Sequence, residues 1–160
     1  MTDEQKYPSV DLAYEITLNS YTIAFQRSDT IDAGVDRLIT WATSINLALI
    51  TLVFTKTPAS HPMNCWLFVA ATLLMMTIGW GYTAKLAGWF HILEPRVLFL
   101  EGWLKSSHWT FQKDIIDWGS QHIELNMNLV KKKAKFLGYA TFSFLLEMVA
   151  LGLWVLESSR

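Results

Sequence analysis

Apolar residues are concentrated in three long stretches of this chain. Residues 38–55 and 65–84 carry no charged side chain, and residues 136–156 carry a single one, Glu147. A helix needs about 20 apolar residues to cross a bilayer, with a range of roughly 17–25, and all three stretches fall in that range. A buried helix of a soluble bundle would keep a polar face, which residues 65–84 lack apart from threonine and glycine. The pattern therefore predicts three transmembrane helices.

Two further segments show helical periodicity but are too polar to span a membrane. Residues 8–36 repeat aromatic and aliphatic side chains at helical spacing, and residues 95–135 carry a heptad stripe after a first-turn proline. The stripe predicts a helix that packs against residues 8–36 or against copies in other subunits. We interpret it as an oligomer or partner interface, formed by Leu104, His108, Phe111, Ile115, Trp118, His122, Leu125 and Leu129.

Two histidines of this stripe, His108 and His122, allow two interpretations. They are packing residues held by hydrogen bonds, or they form a pH-sensitive seam, because histidine titrates near neutral pH.

Composition agrees with an all-α integral membrane protein. Apolar residues make up 52% of the 160 residues and charged residues only 17%, whereas soluble domains average roughly 25% charged. No stretch shows the alternating pattern of a strand, and the length suits one helical domain over residues 1–160. The single cysteine, Cys65, excludes an intramolecular disulfide and a cysteine-based metal site.

The distribution of positive charge predicts the orientation in a cell (inner) membrane. Eleven of the 13 lysines and arginines lie in residues 1–37 and 85–135, and two lie elsewhere. The positive-inside rule places those two segments in the cytoplasm, so the N-terminus is inside and the C-terminus outside.

A lysine cluster precedes the third predicted span. We interpret it as an anchor on anionic lipid headgroups. Nucleic-acid binding is the alternative, but the chain has no other basic face and no recognised nucleic-acid module, so we expect no nucleic-acid partner. The cluster consists of Lys131, Lys132, Lys133 and Lys135.

Glu147 stands near the middle of the third predicted span. A carboxylate at that depth costs roughly 2.5–3.5 kcal/mol on insertion scales, so it must be neutral, paired or in contact with water. It either faces a pore in an oligomer or is a neutral carboxyl bonded to a neighbouring helix. Candidate partners are Asn46, in the middle of the first span, Thr43 and Thr77.

Catalytic and metal-binding motifs are absent from the sequence. There is no phosphate-binding glycine loop, no HExxH and no GxSxG. Asp29, Asp32 and Asp36 cluster before the first span, as a solvated or helix-capping group or, alternatively, as a cation site. We expect a protein that is not an enzyme and that needs no cofactor and no metal.

The order of these segments resembles a known family. DLAYEITLNSYTIAFQ is followed by DRLITWATSINLALITLVF, a short outer turn, CWLFVAATLLMMTIGW and a long cytoplasmic helix. This layout is similar to the SLATT-type membrane proteins, small bacterial effectors encoded with nucleotide-second-messenger synthases. The resemblance implies oligomerisation and pore formation that kills or arrests a phage-infected cell. The third span with Glu147 departs from the two-span hairpin typical of the family.

Two functional hypotheses follow from the sequence. The first is a homo-oligomeric channel or pore-forming protein, an antiviral defence or stress effector gated through its cytoplasmic helices, with Glu147 or Asn46 lining the path. The alternative is a non-catalytic membrane anchor or accessory subunit that docks a partner. The expected partners are membrane lipids, further copies of the chain and a cytoplasmic sensor protein.

Overall fold

The computed structural model describes residues 9–56, 65–92 and 105–158, which form three α-helices and contain no strand. Helix α1 covers Val10–Lys56, α2 covers Cys65–Lys85 and α3 covers His108–Ser158. The predicted all-helical fold is confirmed for these ranges. Leu104 of the stripe, Pro95 and the turn between the first two predicted spans lie outside the described residues.

Helices α1 and α3 each contain two segments that the sequence pattern distinguished by their polarity. Residues 10–36 of the first segment and the predicted span 38–55 belong to one uninterrupted helix of 47 residues. Residues 108–156 lie in a single helix of 51 residues. Helix α1 continues through Gly34 without a break. Gly34 is packed against Leu137, whose Cδ2 would lie 3.3 Å from an added Cβ. Ser107 caps the start of α3, where its hydroxyl accepts a hydrogen bond from the Thr110 amide at 3.2 Å.

Within the described residues, two helices are long and apolar enough to cross a membrane: α2, and α3 within His108–Glu157. In their most apolar windows only 17% and 33% of residues are buried. The core helix of a soluble protein is mostly buried, so this low burial is consistent with a membrane location. The span at residues 38–55 stays a prediction.

The chain divides into two compact units, and α1 and α3 contribute residues to both. The helix-pair unit consists of Met1–Asp29 and Gly88–Lys131, and the bundle unit of Thr30–Ala87 and Lys132–Arg160. The bundle unit has an apolar core in which all three helices take part. That core consists of Ala70, Ala150, Leu151 and Trp154, with Leu49, Leu67, Leu73, Met148 and Val155 packed around it.

Helices α1 and α3 run parallel within the bundle unit. Asp32 contacts Lys133, and Asn46 contacts Glu147; both pairs are separated by 101 residues, so the two helices advance together. Helix α2 runs antiparallel to α1. Its last residue, Lys85, pairs with Asp36, whereas the first half of α2 packs nearer the C-terminal end of α1. Within the helix-pair unit, Asp11 and Gln112 are separated by the same 101 residues.

Candidate functional site

The buried carboxyl of the bundle unit is paired within the chain. Glu147 is fully buried, and the Asn46 amide donates one hydrogen bond to Glu147 Oε1 and another, of 2.8 Å, to the Ala42 carbonyl. Glu147 Oε2 has no hydrogen-bond partner among the described residues. In the single chain the carboxyl is therefore enclosed between α1 and α3, with half of its hydrogen-bonding capacity used.

The other two partners suggested by the sequence bond elsewhere. Thr43 donates to the Ile39 carbonyl at 2.8 Å, and Thr77 donates to the Leu73 carbonyl at 3.0 Å. Serine and threonine hydroxyls in helices commonly make this local bond to the preceding turn. Of the three candidates, only Asn46 has its polar group directed at Glu147.

Two ion pairs lie on the described residues of the bundle unit, and one of them corrects a sequence interpretation. Lys133 is only 5% exposed, and its ammonium donates to Asp32 Oδ2 at 2.7 Å. Lys133 is therefore not a lipid headgroup ligand, because its charge is directed inward to a carboxylate. The rest of the lysine cluster is exposed and keeps that interpretation: Lys131, Lys132 and Lys135.

The aspartate cluster behaves as a set of separate residues. Asp32 bonds Lys133, Asp36 pairs with Lys85 at 2.6 Å, and Asp29 is exposed. Over the described ranges, no three His, Cys, Asp or Glu side chains come together as a metal site. Two of the three aspartates are therefore each paired with a lysine.

The predicted heptad stripe is packed on α1 over only part of its length. Ile115 is buried, Phe111, Trp118, His122 and Leu129 are half-buried, and His108 and Leu125 are exposed. The Trp118 ring lies 5.7 Å from the Tyr21 ring and 4.3 Å from the His122 ring. His108 approaches Asp11 at 3.8 Å on the surface.

The centre of the packed face of α3 lies one position after the predicted stripe. Gln112, Gly119 and Asn126 are buried and seven residues apart. Gln112 donates to Asp11 at 2.8 Å, and Asn126 binds both the backbone N–H and the backbone carbonyl of His91, at 2.9 and 3.1 Å. The search for apolar residues at helical spacing missed Gln112, Gly119 and Asn126, because they are polar or small. Their spacing of seven residues is the signal in the sequence that could have found them.

A groove of about 480 Å³ opens between α1 and α3 inside the helix-pair unit. The described residues that line it include no charged side chain, and they are aromatic and aliphatic groups with a few hydroxyls. Burial raises the pKa of the Tyr21 phenol, an effect that the neighbouring Asn126 side chain partly offsets. The main apolar members are Tyr14, Leu18, Phe25, Ile92, Phe111 and Trp118.

Helix α1 also carries apolar residues on the side that faces away from the groove. Leu12 is 59% exposed and Ile16 is 57% exposed, and Ile23 is exposed as well. Asn19 lies between them on the same face and is also exposed. The helix-pair unit therefore presents both a groove and an uncovered apolar helix face.

Comparisons with protein-family models, with curated proteins and with solved structures found no match to this chain.

Proposed function

We propose that this chain is a non-catalytic membrane protein with three transmembrane helices, whose helix-pair unit docks a further protein subunit in the cytoplasm. The observation that carries the docking role is the apolar surface left uncovered on the helix-pair unit. Leu12 and Ile16 are more than half exposed, although both sit in a segment whose polar flanks mark it as lying in water. Contiguous exposed apolar surface on a soluble part typically marks an interaction site.

Exposed apolar side chains of the bundle unit support the membrane-spanning part of the proposal. Large side chains on all three helices are exposed there, and in water such a surface would cause aggregation. In a bilayer the same side chains face lipid tails at no cost, because the hydrocarbon core is itself apolar. Examples are Leu47, Phe68, Met75, Phe142 and Val149.

Single-cysteine labelling tests the topology. Cys65 begins α2 and is exposed, so a membrane-impermeant maleimide should label it in cells from the outside. In a Cys65→Ser background, Glu157→Cys should be labelled from outside, and Glu124→Cys only after the membrane is permeabilised. Both side chains are exposed, so the protein itself does not shield them. Whether the reagent reaches them therefore depends only on the side of the membrane on which they lie. Labelling of Glu124→Cys in intact cells would contradict the proposed orientation.

The mass of the native particle tests the docking role. The full chain is extracted from its membrane with a surrounding disc of lipid, and native mass spectrometry measures the protein mass. The expected mass exceeds the 18.3 kDa of one chain by at least one further subunit, either a second copy or another protein. A particle that contains one chain and no other protein would overturn the proposal.

A homo-oligomeric channel, as the SLATT-type resemblance implies, is the second candidate. The observation in its favour is Glu147 Oε2, a buried carboxyl oxygen without a partner among the described residues. Intramembrane carboxyls often mark ion or proton pathways. Against it, Glu147 is enclosed within one chain, so a path between chains would reach it only after α1 and α3 separate.

Ion flux from liposomes separates the two candidates. A channel should release a trapped ion, and Glu147→Gln should change its rate or selectivity, because glutamine keeps a bond to Asn46 but removes the ionisable group. The docking proposal expects no flux from either protein. Flux that Glu147→Gln changes would replace docking with conduction as the main function.

A further inference from the structure

The outer face of α1 has the spacing of a coiled-coil seam. Leu12, Ile16, Asn19 and Ile23 follow one another at intervals of four, three and four residues, and all four are exposed. In heptad terms Ile16 and Ile23 occupy a positions, and Leu12 and Asn19 occupy d positions. The opposite face of the same helix carries Tyr21, which packs on Trp118 of α3. Helix α1 thus has two apolar faces, and α3 covers only one of them.

The composition of this segment argues against a lipid surface as the occupant of the outer face. Helices that lie on membranes carry lysine and arginine on their polar side, and anionic headgroups attract them. The part of α1 in the helix-pair unit, residues 10–29, contains a single basic residue, Arg27, and three acidic ones, Asp11, Glu15 and Asp29. Anionic headgroups would repel these carboxylates.

The same composition fits a second copy of α1. Isoleucine at a with leucine at d favours two parallel strands. A polar residue in an apolar seam favours the register in which it meets a polar partner, because an unpaired buried amide is costly. Copies anchored in one membrane have the same orientation, so two α1 helices can only meet in parallel. Asn19 would then face Asn19 of the other copy, and each amide would offer the other both a donor and an acceptor.

The residues that flank the seam do not oppose this pairing. In a parallel pair, a residue at position g faces position e of the other helix, five residues further on. Glu15 would therefore face Ser20, and Thr22 would face Arg27. No like charges meet at either place. The seam offers only three apolar side chains per copy, but confinement to one membrane raises the effective concentration of the second strand.

We propose that two copies of this chain pair through the outer face of α1, with Leu12, Ile16, Asn19 and Ile23 meeting their counterparts in parallel and in register. The inference rests on the proposed membrane anchoring and names the docked subunit as a further copy. It differs from the sequence interpretation, which placed the interface on the stripe of α3.

Disulfide crosslinking tests the pairing. Asn19→Cys is introduced into a Cys65→Ser background and oxidised in native membranes, with Glu124→Cys as the matched control. Both positions are exposed and belong to the helix-pair unit, but only Asn19 lies on the seam. The expected result is a band at twice the monomer mass for Asn19→Cys, at least about tenfold stronger than for the control. Equal bands would overturn the proposal, as would a crosslink to a different protein.

A charge substitution on each candidate surface locates the contact. Ile16→Glu places like charges in the seam and should reduce the Asn19→Cys dimer at least about tenfold. Leu125→Glu adds the same charge to an equally apolar residue of α3, half exposed, and should leave the dimer unchanged. Leu12→Ser, a milder change, should weaken the dimer while the helix content measured by circular dichroism stays constant.

The outcomes separate this inference from the proposed function. If Leu125→Glu reduces the particle mass and Ile16→Glu does not, docking survives on another surface and the α1 pairing is wrong. A monomeric wild-type particle overturns both.

In neutral-lipid vesicles that hold one copy each, Asn19→Cys should react freely with a water-soluble maleimide. Protection there would show that lipid covers the face, and would overturn the pairing.

Discussion

Replacing Gly119 with alanine should loosen the helix-pair unit, although alanine is the better helix former. A Cβ on Gly119 would lie closer than 3.0 Å to Cγ2 of Thr17, a separation that real Cβ atoms essentially never show. Thr17 cannot turn its methyl aside freely, because it is β-branched and its hydroxyl donates to the Ala13 carbonyl at 2.8 Å. The two helices must therefore move apart at this point.

The magnitude follows from two opposing effects. Forcing an extra methyl group into a close contact costs roughly 1–3 kcal/mol. The change from glycine to alanine inside a helix returns about 0.5–1 kcal/mol. The midpoints of these two ranges give a net loss of about 1 kcal/mol for Gly119→Ala, with an upper limit of about 2.5 kcal/mol. We expect no loss for Gly138→Ala, because nothing lies within 4 Å of a Cβ at that glycine of α3.

Hydrogen–deuterium exchange of the chain in nanodiscs measures the effect where it occurs. Amides of residues 112–126 should exchange faster in Gly119→Ala, by roughly fivefold for each kcal/mol lost. Thr17→Ser removes only the methyl group and keeps the bond to Ala13, so the double variant should recover most of the protection. Exchange at the wild-type rate in Gly119→Ala, or no recovery in the double variant, would refute the close contact between α1 and α3.

Two further predictions concern ionisable groups. Asp32→Asn takes the carboxylate from the buried Lys133 ammonium and should cost about 2–3 kcal/mol, below the roughly 3–5 kcal/mol of a fully buried pair because Asp32 is a third exposed. Asp36→Asn breaks the exposed pair with Lys85 and should leave the midpoint of thermal unfolding close to that of the wild type. If Asp32→Asn and Asp36→Asn unfolded at the same temperature, the argument would be contradicted. Burial raises the pKa of Tyr21, so its contribution to stability is present below pH 10 and is lost as the pH rises through the folded-state value. Unfolding measured across that range should lose this dependence in Tyr21→Phe.

Physical chemistry allowed part of the bundle site to be predicted. A carboxyl in the middle of an apolar span needs a partner at similar depth, and Asn46 was one of few polar residues that could supply it. The structure joins Asn46 to Glu147. The sequence could not show which lysine of the cluster is paired. Each residue turns about 100° around the helix axis, so only Lys133 points toward Asp32.

The packed face of α3 was harder to predict, for a reason that is specific to its residues. Periodicity methods count apolar side chains, so the stripe through Trp118 and Leu125 dominated the prediction. The structure buries Gln112 and Asn126 instead and leaves Leu125 half exposed. A polar residue can occupy the centre of such a face when it is hydrogen-bonded there, as Asn126 is to His91.

The buried polar pairs of the bundle unit provide the register that an apolar seam alone would leave open. A heptad seam repeats every seven residues, so sliding α3 by one heptad along α1 would still bring apolar groups together. In one such shift Glu147 would face Ile39 instead of Asn46, and in the opposite shift Lys133 would face Ile39 instead of Asp32. Each shift leaves a charge or a carboxyl without its partner in a buried site, at a cost of several kcal/mol. The alignment of α1 with α3 is therefore determined by where their few polar residues can meet.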